Sequence, residues 1–158
     1  MPMHRIYTPA GLYSSAEKQA LAKAITSAYT TSPAGDRGLP PFYVVVLFID
    51  LRDDSFYVGG EKHKSFARFN VQHLARHFRD KKERLGFMRL YEEKLKPFTL
   101  DKGLDWEASH VNIDLADPLT WRENGMSPPA PNTDGEVLWF RQNKATPFEG
   151  LSFSDIGP

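Results

Sequence analysis

The stretch Phe42-Tyr-Val-Val-Val-Leu-Phe-Ile-Asp-Leu51 is continuous, aromatic and β-branched. It is far too short to span a bilayer, and its composition predicts a strand buried on both faces, the pattern of a parallel sheet. Upstream, Thr31 to Pro41 holds Ser, Gly and three prolines and reads as a loop. Before that loop, Ser14 and Glu17 have capping-box spacing, and Leu21, Ala24, Ile25, Ala28 and Tyr29 recur on one helical face, so a helix runs to about Thr31. Met3 to Thr8 is a short strand that ends at the Pro9-Ala10-Gly11 break. The first fifty residues are therefore one strand–helix–strand unit.

The same order recurs downstream. Asp53-Asp54-Ser55 and Gly59-Gly60 bracket a short excursion around Phe56-Tyr57-Val58, and Phe66 to Arg76 then alternates as a strand does. Ala67, Phe69, Val71, His73 and Ala75 share one face; Arg68, Asn70, Gln72, Leu74 and Arg76 share the other, which must meet water, a ligand or another subunit. Asp80 and Glu83 repeat the capping spacing 66 residues after Ser14 and Glu17, Leu85, Met88, Tyr91 and Leu95 continue a helix, and Pro97 stops it. His110 to Leu115 is a last strand. The chain thus reads as one α/β (α+β) domain over 1–158, with a first β-α-β unit at 2–51, a second at 66–115 and an extended tail at 116–158. Right-handed crossovers put both helices on one face of a four-stranded, mostly parallel sheet, and a second copy of the chain is the economical cover for the other face.

With 158 residues the chain buries roughly two-thirds of its unfolded surface in a single core. Lys+Arg and Asp+Glu stand at 20 each, so no net field draws it to nucleic acid or an anionic membrane. The lack of cysteine excludes disulfides, thiolate chemistry and Cys-ligated metals. The start MPMHRIYTPAG lacks the layout of a signal peptide, which points to the cytoplasm. His73 and His77 are spaced for a metal only on a helix, and the alternation places them on a strand and its exit; Asp50, Asp53 and Asp54 read as a turn. No metal or organic cofactor is expected.

Pro2 is the chemical feature. Once Met1 is removed it is a secondary amine, and burial beside cations lowers such an amine from its reference value of about 8 towards neutrality, where it exchanges protons. If Met1 is retained, Pro2 is an amide without basicity, and the chain is better read as a non-catalytic binding or signalling protein on the same scaffold.

A duplicated β-α-β chain headed by proline resembles the tautomerase superfamily, in particular its oxalocrotonate tautomerase-related, cis-3-chloroacrylic acid dehalogenase-like group. The stretches that carry the resemblance are Ala22-Lys23-Ala24-Ile25-Thr26, Val58-Gly59-Gly60, Leu74-Ala-Arg76-His-Phe-Arg79 and Arg122-Glu123-Asn124-Gly125. It implies a homotrimer acting on a small carboxylate, with Pro2 as acid or base, Arg76 and Arg79 on the carboxylate, and Glu123 activating water. Two guanidinium groups between a strand end and a helix start suit that anion. The bland alternatives are a solvated basic helix entrance for the arginines and an ordinary surface turn for Glu123. Where the dehalogenases have a histidine near the end of the first helix this chain has Tyr29, and where they have an aromatic hydroxyl in the last strand it has Asp114. Tyr29 is either a hydrogen-bond donor or the last core residue of its stripe. These departures imply tautomerisation or hydration of a 2-keto, enol or unsaturated acid, with weak dehalogenation; decarboxylation of a 3-oxo acid uses the same groups.

Overall fold

The computed structural model describes residues 2–31, 38–73, 78, 80–107, 114–115 and 118–156. Its elements in chain order are β1 (Met3–Pro9), α1 (Ser15–Thr30), β2 (Val45–Leu51), β3 (Tyr57–Val58), β4 (Glu61–Lys62), β5 (Phe66–His73), α2 (Lys81–Leu95), β6 (Asp105–Glu107), β7 (Asp114–Leu115) and α3 (Asp134–Gln142). The main sheet runs β2-β1-β5-β6, and β7 pairs with β5 beyond β6. β1 and β2 are parallel from Met3↔Val45 to Pro9↔Leu51. β5 is parallel to β6 at Phe66–Arg68 and to β7 at Gln72–His73. One antiparallel seam, from Met3↔Gln72 to Tyr7↔Arg68, joins the two halves. This is a mixed, mostly parallel sheet with four strand positions, as the repeated strand–helix–strand order predicts.

α1 starts where expected. The Ser14 hydroxyl accepts from the Glu17 N–H at 3.3 Å, and the Glu17 carboxylate accepts from the Ser14 N–H at 2.8 Å, so two otherwise orphaned donors are satisfied. Its buried residues, Leu21, Ile25, Ala28 and Tyr29, form one stripe. They join Ile6 of β1, Ala67, Phe69 and Val71 of β5, and Tyr91 and Leu95 of α2 in one core. Fully burying a residue such as Ile25 or Leu21 stabilises by about 1.5–3 kcal/mol. Asp80 caps α2 by accepting from the Glu83 N–H at 2.7 Å. α1 and α2 pack on each other and on the same sheet face. Along β5 that face is buried, whereas Arg68 is exposed and Asn70 and Gln72 are half-buried, as its alternation predicts.

Three expectations are corrected. The strand expected at 42–51 begins at Val45, because Pro40 and Pro41 start a short 3-10 turn at Pro41–Tyr43. It is an edge strand with Leu47 43% exposed in the single chain, and so is not buried on both faces. The tail is no extended strap, since it holds α3. Thr133 caps this helix through its side chain, and Trp139 is completely buried against Tyr43, Phe42 and Phe148 at ring distances of 6.0, 5.8 and 5.7 Å. Three strands were not foreseen: β6 extends the sheet, and β3 and β4 pair with each other in a hairpin. Of the strand expected at 110–115, residues 110–113 lie outside the described ones. Among the described residues no helix is long and apolar enough to cross a membrane.

Two outcomes are expected from this packing. Trp139→Ala opens a cavity beneath α3 and costs about 3–5 kcal/mol, measurable by denaturant unfolding. Glu17 bonds Lys102 as well as Ser14, and these contacts, that of Lys102 foremost, lower its carboxyl from the usual 4.5 to about 2. Because the folded value lies below the unfolded one, the contribution to stability is present above pH 4.5 and is lost as pH falls towards 2. Carboxyl NMR titration of Lys102→Met will find Glu17 moved back up towards 4.5.

Candidate active site

Pro2 is buried at the head of β1, and its carbonyl accepts from the Val45 N–H at 3.0 Å, so the parallel ladder already holds it. Burial alternates along Pro2, His4, Ile6 and Thr8, which puts Pro2 on the helix-facing side of the sheet. The seam sets what lies beside it. Met3 stands opposite Gln72 near the end of β5, and Gln72 stands opposite Asp114 of β7. Pro2, the end of β5, the backbone of Asp114 and the start of β2 therefore share one end of the sheet. Arg76 and Arg79 lie outside the described residues; the strand before them ends at His73 and the helix after them is capped by Asp80.

Behind Pro2 on the same face is His4, which is fully buried. Its Nδ1 lies 2.9 Å from the Tyr91 hydroxyl, and its ring stands edge-on to Tyr29 at 5.5 Å. Phe87 stacks on Tyr91 at 5.8 Å and touches Tyr29 and Phe78 at 5.2 Å each. Burial pushes the phenols of Tyr29 and Tyr91 above the usual tyrosine value, so both are neutral hydroxyls. Tyr29 is thus a member of the core stripe and also the ring against His4. The sequence reading passed over His4; a histidine between Pro2 and Ile6 on the buried parity of β1 was the available signal.

Glu123 sits on a two-residue hairpin. Glu123 and Met126 exchange both backbone hydrogen bonds at 2.9 Å, and Asn124 and Gly125 take φ values of 48° and 79°. This is the positive-φ pair that an Asn-Gly hairpin turn requires. The indole N–H of Trp121 donates to Glu123 Oε1 at 3.0 Å. Trp121 is 5% exposed and packs edge-on against Tyr43 at 4.8 Å, two residues before Val45. Glu123 is therefore tied through two rings to the segment that leads into β2 beside Pro2. The Arg122 guanidinium donates to the carbonyls of Leu119 and Trp121 at 3.0 and 2.7 Å, bracing the stretch just before that turn.

Other candidates fall away. Asp50 accepts from Lys18 at 2.5 Å and from the Thr8 hydroxyl at 3.3 Å, a structural tie between β2 and α1. Among the described residues no three His, Asp or Glu side chains cluster as metal ligands. An open hollow of about 420 Å³ lined by Tyr7, Leu51, Ser55, Phe56, Tyr57, Arg68 and Asn70 lies towards the far end of β1 from Pro2.

Residues 1–144 match the family described as "Putative oxalocrotonate tautomerase enzyme". The crystal structure of native RhCC from Rhodococcus jostii RHA1 is 37% identical, with a TM-score of 0.83 over 92% of this chain and 99% of that one. A structure described as "a probable enzyme from the thermophilic fungus Aspergillus fumigatus" is 34% identical, with a TM-score of 0.82 over 94% and 98%. N1, a member of the cis-3-chloroacrylic acid dehalogenase family, shares the fold at 18% identity and a TM-score of 0.65 over 88% and 90%. No curated protein matches the chain. The duplicated unit, the proline at the sheet end and a match over nearly the whole length together make this chain a member of the oxalocrotonate tautomerase-like family of the tautomerase superfamily.

Proposed function

We propose that the processed chain is a cofactor-independent enzyme in which Pro2 moves a proton to or from carbon of a small 2-keto, enol or unsaturated carboxylate. The observation that carries this reading is the burial of Pro2 at the sheet end shared by the close of β5 and the backbone of Asp114. An amine there is partly desolvated, which favours its neutral, basic form. Arg76 and Arg79, in the stretch between β5 and α2, hold the substrate carboxylate and draw electron density from the conjugated system. For an enol, Pro2 takes the hydroxyl proton as the carbonyl forms and returns it to the neighbouring carbon. The alternative role, on an acetylenic acid, belongs to the fraction of Pro2 that keeps its proton and acts as the ammonium. Glu123 takes a proton from water, the water oxygen bonds to C3, and the π pair takes the Pro2 proton at C2. The product enol becomes a 3-oxo acid, and exchange with solvent resets both groups.

The sheet face away from the helices supports assembly. Val45, Leu47 and Ile49 of β2 align across the sheet with Met3, Arg5 and Tyr7, and Leu47 is 43% exposed in the single chain. A homotrimer in which copies cover this face for one another is the proposed state.

In Pro2→Ala, with the circular dichroism of the parent, ketonisation of a phenylpyruvate-type enol is expected to fall at least about 100-fold. Arg76→Ala raises KM for the carboxylate, again by an expected factor of about 10 or more. Undiminished turnover in Pro2→Ala overturns the reading. Intact mass spectrometry of the active fraction is expected to lack Met1, since acylated Pro2 has no basic nitrogen.

A further inference from the structure

We infer that Trp121 is a positioning residue for Glu123, and that it selects water addition over simple proton transfer at the Pro2 site. The inference rests on the proposed Pro2 chemistry and adds a residue to which nothing above gives a role. Three observations carry it. Trp121 is the buried partner in the pair: it is 5% exposed, while Glu123 is half-exposed. Its ring is fixed between Tyr43 at 4.8 Å and Phe153 at 5.8 Å, so its N–H points in one direction, and that N–H meets Glu123 Oε1 at 3.0 Å. The backbone of Glu123 is fixed independently by the paired bonds of the Asn-Gly turn and by the Arg122 contacts. A solvated turn glutamate would normally sample several rotamers; this one is held at both ends.

The chemistry explains why that matters. A carboxylate has two oxygens and about four acceptor sites. The indole occupies one side of Oε1, leaving Oε2 to take the proton of an attacking water. Keto–enol exchange needs no such base, because Pro2 both takes and returns the proton. Loss of the indole N–H therefore falls on hydration. Phenylalanine keeps most of the ring packing and removes only the donor, and a hydrogen bond to a charged group is worth about 1.5–3 kcal/mol, or roughly 10- to 100-fold in rate.

The test compares the Met1-free parent, Trp121→Phe, Glu123→Gln and the double variant. Each is assayed for hydration of an acetylenic carboxylate and for ketonisation of an enol, with thermal midpoints recorded in parallel. The ratio of hydration to ketonisation is expected to fall about tenfold or more in Trp121→Phe and further in Glu123→Gln. The double variant is expected to match Glu123→Gln alone, because the indole acts through the carboxylate. Equal loss of both reactions with a lowered midpoint makes Trp121 structural only and overturns the inference. So does an unchanged ratio. A parent that ketonises in a Pro2-dependent manner but never hydrates overturns the inference and leaves the Pro2 reading standing. A parent whose turnover ignores Pro2 removes both.

Discussion

The antiparallel pairing of β1 with β5 is the constraint from which the rest of the molecule follows. Each half of the chain is a parallel strand pair with a covering helix, and such a half buries one sheet face only. Joining the halves through Met3↔Gln72 to Tyr7↔Arg68 aligns Ile6 with Phe69 and His4 with Val71 beneath both helices. A slip of one residue would turn Phe69 and Val71 to the open face and bring Arg68 and Asn70 into the core. The direction of the seam has a second consequence. Because the strands run oppositely, the start of β1 meets the end of β5, so Pro2 and the close of β5 lie at one end of the sheet.

What stands behind Pro2 is governed by burial rather than by charge. His4, Tyr29, Tyr91 and Phe87 form a ring-to-ring layer in which the phenols are neutral. An amine at the edge of such a layer loses water on one side. The tyrosine that stands at the end of α1 in place of a histidine therefore supplies bulk and low polarity, with its phenol held above the usual range.

Much of this was legible in residue order. Capping spacing located α1 and α2, alternation sorted β5 into its two faces, and Asn124-Gly125 announced a tight turn. α3 was not read, although Thr133-Asp134-Gly135-Glu136 has the spacing of a helix start. Gly135 lowers helix propensity, and the surrounding Pro, Asn and Gly suggest a loop. The reason for that glycine is tertiary, since a Cβ there would stand 2.6 Å from the Phe148 ring. β6 is three residues long and leaves no periodic trace. At the site, Pro2 was singled out from its amine chemistry and Glu123 by resemblance, whereas the Trp121 bond was not foreseen, because it depends on where Tyr43 and Phe153 hold the indole. Arg76, Arg79 and the side chain of Asp114 lie outside what the structure describes.

The open sheet face is divided in a way that bears on assembly. On its β1–β5 side the polar groups begin to satisfy one another: Arg5 donates to Gln72 Oε1 at 2.9 Å diagonally across the seam. On its β2 side Val45, Leu47, Ile49 and Leu51 form an apolar row at the sheet edge. Covering the polar half removes little favourable hydration where donors are already paired, whereas covering the apolar row stabilises by about 25 cal/mol per Å². In the proposed trimer, the free energy of covering this face would therefore be concentrated along β2. That same strand holds Pro2 through Val45 and adjoins Tyr43, the ring against Trp121. An assembly that orders β2 thus also steadies the proline and, through Tyr43 and Trp121, the glutamate.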